Sequence, residues 1–114
     1  MSYSSNLELY DIAIELHTDL QRKGKTMPYT SVNGHMFSIL DKEGNLGLHL
    51  SKTYREEFIQ KFNSELMVQY GATMKEYVVI PQKLLEDTSE LYKYFQLSFE
   101  YVSLLKLKPT KRKL

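Results

Sequence analysis

Leu46, Leu48 and Leu50 alternate with Gly47 and His49 directly after a polar run from Asp41 to Asn45. A period of two marks a strand with one buried face. The segments His35 to Leu40 and Leu46 to Leu50 therefore predict a β-hairpin. With a three-residue loop, Leu40 opposes Leu46, which places Met36, Ser38, Leu40, Leu46, Leu48 and Leu50 on the core face. His35, Phe37, Ile39 and His49 then take the other, partly exposed face. A small sheet of this kind needs helices to cover its apolar side.

Three stretches supply them. Leu9, Ile12, Ala13, Leu16 and Leu20 recur at helical spacing, with Ser5 or Asn6 as a start signal and Gly24 as a stop. Arg22 and Lys23 then suit the negative end of the helix dipole. Tyr54, Phe58, Ile59 and Phe62 predict a second helix that begins near Ser51 to Thr53, where Thr53 and Glu56 have the spacing of a capping box, and ends at Asn63 and Ser64. Leu91, Phe95, Ser98, Phe99, Val102 and Leu105 predict the third, capped by Asp87 with Glu90. Between them, Glu76 to Ile80 reads as a strand, while Leu66 to Tyr70 fits either a short strand or another helical turn. Pro81 to Glu86 fits one turn of helix.

These pieces give a two-layer α+β domain over residues 1–108, in which helices cover a small antiparallel sheet in the approximate order α-β-β-β-α-β-β-α. Pro109 stops the last helix and leaves residues 109–114 as a polar, basic tail, expected to be disordered. With 114 residues, 42% hydrophobic and 25% charged, the composition is that of one globular domain, and neither the disordered nor the membrane class is favoured. There is no cysteine, which removes disulfides, thiolate nucleophiles and cysteine zinc sites and fits a reducing, cytoplasmic location. Neither a secretory leader nor an apolar run long enough to span a membrane is read in the sequence.

Several phrases in order resemble the N-terminal domain of the TfoX/Sxy family of competence regulators. They are Asn33-Gly34-His35-Met36-Phe37, Leu46-Gly47-Leu48-His49-Leu50-Ser51, Met74-Lys75-Glu76-Tyr77-Val78-Val79-Ile80-Pro81 and the closing Tyr101-Val102-Ser103-Leu104-Leu105. The resemblance implies a compact α+β domain and a link with transcription or competence regulation. Regulators of that family carry a second, C-terminal domain, for which no room is expected in these 114 residues, and Met27 to Val32 stands where a glycine-rich segment is expected. Fold transfers across such a likeness more readily than role.

Chemistry is sparse. His17 is read as solvent-facing, whereas His35 and His49 lie diagonally on one strand face, about 7–8 Å apart at Cβ, as a candidate surface pair. Zinc would need further ligands that no His or Cys cluster supplies, so neither a metal nor a cofactor is expected. No nucleophile elbow, phosphate loop or poised carboxylate pair is found, and the chain is read as non-enzymatic. The leading expectation is a regulatory or interaction module with an unidentified protein partner, able to self-associate as a homodimer through a sheet edge or an exposed aromatic surface.

A second reading is weak, nonspecific nucleic-acid binding by Lys106, Lys108, Lys111, Arg112 and Lys113, beside Tyr92, Tyr94 and Tyr101. Removing those five charges from a net charge of +1 leaves −4 on residues 1–105, so the basic end would have to act alone. Engaging most of them would give a slope of about −4 in log affinity against log salt. A third reading is a small enzyme or ligand-binding domain built around His35, His49 or Tyr77.

Overall fold

The computed structural model describes residues 3–17, 20–24 and 27–105. They form α1 (Tyr3–Glu15), β1 (Tyr29–Val32), β2 (His35–Leu40), β3 (Leu46–His49), α2 (Lys52–Phe62), β4 (Leu66–Gln69), β5 (Ala72–Val79), α3 (Gln82–Glu86) and α4 (Thr88–Ser103). The α+β class and element order match expectation, with the turn after Pro81 standing as α3. All strands belong to one antiparallel sheet ordered β1-β2-β3-β5-β4. No helix among the described residues is long and apolar enough to cross a membrane.

The β2–β3 register is the predicted one, with Leu40 opposite Leu46 and Ser38 opposite Leu48. The Asp41 N–H donates to the Asn45 carbonyl at 2.9 Å, which closes a three-residue loop. The Asp41 carboxylate accepts the N–H groups of Glu43 and Asn45, so the loop's donors are satisfied without a ladder. Leu40, Leu46, Leu48 and Val78 are fully buried in one core with Tyr10 and Ile14 of α1, Phe58 of α2, Leu85 of α3, and Leu91 and Phe95 of α4. Side chains four and three residues apart on α4 (Leu91, Phe95, Ser98, Val102) all face that core.

Phe37 departs from the expected alternation. Thr30 pairs with Ser38 but Ser31 pairs with Met36, so β2 carries one residue more than β1 at this point. Such a bulge interrupts the period of two. Phe37 consequently stays in the core with Ser38, its ring 5.3 Å from Phe95 and 5.6 Å from Phe99.

One helix boundary and two capping residues also differ. The first helix ends at Glu15, not Gly24, because the chain then turns to serve the sheet edge: Lys23 and Tyr29 exchange both backbone hydrogen bonds. Arg22 is likewise outside the helix and holds Asp11 at 2.7 Å. Asn6 is no cap but a buried residue within α1, whose amide donates to the Gly44 carbonyl and exchanges hydrogen bonds with Gln82. α2 begins within the expected span of Ser51 to Thr53, but its cap is Ser51, whose hydroxyl accepts the Tyr54 N–H, and Thr53 lies inside the helix. Asp87 caps α4 as expected, accepting the Glu90 N–H.

The β4–β5 hairpin is irregular. Leu66 pairs with Val78, yet Met67 pairs with Met74, so residues 75–77 of β5 have no counterpart on β4. Met67 is thereby brought against Gly47 on the sheet's second face, and the Gln69 amide reaches the Asp41 carboxylate at 3.2 Å. The hairpin of β4 and β5 thus covers part of the face that the helices leave open.

Candidate functional site

The two candidate histidines differ in burial. His35 is half-buried, but His49 is only 6% exposed, so the pair is not a surface pair. His49 ends β3, where its ring lies 5.0 Å from Tyr77 of β5 and 5.6 Å from Tyr101 of α4. Its Nε2 is 3.4 Å from a carboxylate oxygen of Glu76, which is itself well exposed. Its Nδ1 is buried with no hydrogen-bond partner. Burial holds the imidazole below its ordinary pKa, against the opposing pull of Glu76.

The backbone around His49 is held by side chains. The β2–β3 ladder ends at the Ser38–Leu48 pair. Beyond it, the buried Ser98 hydroxyl of α4 shares its proton between the carbonyls of His49, at 2.6 Å, and Phe37, at 3.2 Å. The Tyr77 hydroxyl donates to the Met36 carbonyl at 2.7 Å. Burial pushes the Tyr77 phenol up to about 12. The bulge at Phe37 removes regular partners from these carbonyls, and two hydroxyls replace them.

His17, read as solvent-facing, is half-buried with its ring 4.4 Å from Phe99. Tyr94 packs against Phe58 and Phe62 and accepts a hydrogen bond from Lys61, while Tyr92 donates to Gln96. The aromatic side chains of α4 are therefore engaged in internal contacts. Lys106, Lys108, Lys111, Arg112 and Lys113, the candidate phosphate contacts, lie outside the described residues. Among the described residues, no group of three or more His, Cys, Asp or Glu is placed to hold a metal ion.

A second feature is the tip of the β4–β5 hairpin. Tyr70 and Gly71 form a two-residue turn with φ of 52° and 76°. Positive φ at both positions suits Asn-Gly, and a bulky residue pays for it in backbone strain. Tyr70 is nevertheless 80% exposed, with Val68 beside it 54% exposed. β4 is an edge strand. In a hairpin closed by Gln69 and Ala72 the backbone groups of Val68 face outward, and the Gln69 amide caps the Val68 carbonyl at 3.1 Å. Gly71 is the one sequence signal for this turn; nothing local marks the exposure of Tyr70. No family model matches the chain, and neither a curated protein nor a solved structure matches it.

Proposed function

We propose that the chain is a non-enzymatic regulatory or interaction module acting in the cytoplasm, of the kind that the resemblance to TfoX N-terminal domains implies. Its contact surface is the β4 edge with Tyr70 at the tip, and the occupant is a second copy of the chain. The observation that carries this is Tyr70: a large, exposed aromatic held at a positive φ that Asn or Gly would adopt at less cost. A local rule broken without an internal contact to explain it points to a use outside the molecule.

A second copy fits this edge for a simple reason. Leu66, Met67, Val68 and Gln69 carry no charge, and natural edges that must stay unpaired are usually guarded by Lys or Pro. In an antiparallel pairing about a two-fold axis, the flanking Glu65 carboxylates fall at opposite ends and do not repel each other. Strand addition of this type draws affinity from main-chain hydrogen bonds and specificity from alternate side chains.

Sedimentation from micromolar to millimolar concentration tests the proposal on three proteins. The native chain should dimerise, Val68→Lys should remain monomeric, and Tyr70→Asn should be more weakly dimeric yet melt at a higher temperature as a monomer. A native chain that stays monomeric throughout, or a Val68→Lys variant that dimerises equally well, overturns the edge as the contact surface.

A further inference from the structure

The seam between β2 and β3 is built unlike the rest of the sheet. Past the Ser38–Leu48 pair, the carbonyls of Met36, Phe37 and His49 are held by the hydroxyls of Tyr77 and Ser98. The residue at the end of this seam on β3 is a histidine, the residue type whose charge changes nearest neutral pH, and its ring packs on Tyr77, whose hydroxyl holds the Met36 carbonyl.

Consider where its protons go. Nε2 faces the Glu76 carboxylate and so carries the hydrogen of the neutral ring. A second proton must go to Nδ1, which is buried without a hydrogen-bond partner. The Met36 carbonyl favours the charged ring, but in the closed seam it makes no aligned bond to Nδ1. The charged and titratable groups around the ring are mixed. Glu76 of β5 attracts an imidazolium, Arg55 of α2 and His35 of β2 repel it, and Tyr77 and Tyr101 offer only neutral rings.

We propose that His49 is a proton-operated latch: neutral, it stays packed between Tyr77 and Tyr101; protonated, it leaves toward Glu76 and solvent, and the seam between Phe37 and His49 opens. The unpaired Nδ1–H and the desolvated charge cannot both be tolerated in the closed seam, because a buried charge needs its hydrogen bonds satisfied. Glu76, itself exposed, gives the departing imidazolium a partner at the surface. Opening exposes the Met36, Phe37 and His49 carbonyls that the two hydroxyls had held.

The lowered affinity of the closed site for a proton sets the response. Between the ordinary histidine value of about 6.5 and the lower value of the closed state, the open population grows up to about tenfold per pH unit. Amide hydrogen exchange, corrected for the intrinsic effect of pH, reads this directly at Phe37 and His49. Those amides should lose protection as pH falls from 7.5 to 5.5, while Leu91 and Phe95 in α4 keep theirs. In His49→Gln the loss should vanish. Glu76→Gln changes only an exposed group, and it should lower the imidazole titration point seen by NMR and extend the loss of protection to more acid pH. Equal loss of protection in His49→Gln and the native chain overturns the latch. So does an imidazole that titrates at its ordinary value, or one that titrates while the seam amides stay protected.

Discussion

The thioether of Met67 lies where a side chain on Gly47 would stand: a Cβ there would meet Sδ at 2.5 Å and Cε at 3.1 Å. Gly47 is in the middle of β3, where glycine weakens a strand unless something approaches closely. Met67 is that approach, and it is almost completely buried. Gly47→Ala should therefore destabilise the fold by about 1–3 kcal/mol through overpacking, and Met67→Ala by about 2–5 kcal/mol through the cavity it leaves. Because both changes act on one volume, the double variant should cost less than the sum. Urea denaturation of the four proteins measures this, and strict additivity would remove the contact from the account.

A buried hydroxyl chain ties α1 to the sheet. The Tyr10 hydroxyl is 2.6 Å from Ser38 Oγ, which is 2.5 Å from Thr30 Oγ1, and all three residues are inaccessible to solvent. Ser38 makes the short bonds to both neighbours, so Ser38→Ala leaves Tyr10 and Thr30 with only their weaker mutual contact, whereas Tyr10→Phe leaves Ser38 bonded to Thr30. Each unsatisfied group costs about 1–3 kcal/mol. Ser38→Ala should lower the urea midpoint more than Tyr10→Phe does, although it removes the smaller group. The reverse order would mean that volume, not hydrogen bonding, decides this site.

What could be read from the sequence follows from the range of the forces involved. The Leu40–Leu46 register was legible because alternation and turn are local, and so was the Asp87 cap. The side taken by Phe37 was not, since the bulge that turns it inward is set by pairing with β1 and by Phe95 and Phe99 far along the chain. The end of α1 is not a local matter for a similar reason: Lys23 gains two backbone bonds to Tyr29, which outweigh local helical preference. His49 was found as a candidate from its place on the strand, but its burial comes from Tyr77 and Tyr101, elements that no local pattern places beside it.

Tyr77 gives the fold an alkaline limit. Its phenol is pushed up to about 12, chiefly by burial and secondly by the neighbouring Glu76 carboxylate. A tyrosine whose folded value exceeds its unfolded value of about 10 favours the folded state while it is neutral. That contribution is whole below about pH 10 and is lost as pH rises from 10 toward 12, because the unfolded chain gives up the proton first. The slope from one such group is at most about 1.4 kcal/mol per pH unit, and less for a phenol that is partly solvated. Tyr10, raised in the same direction by burial, adds to the same limb. Tyr77→Phe removes the hydrogen bond to Met36 and should cost about 0.5–1.5 kcal/mol at neutral pH. It should also flatten the decline above pH 10, so that the native and variant stabilities converge as the solution becomes more alkaline. Urea midpoints between pH 8 and pH 11 provide the test. Parallel curves would show that the Tyr77 proton is not linked to folding, and that the burial of its ring carries no penalty for the phenolate.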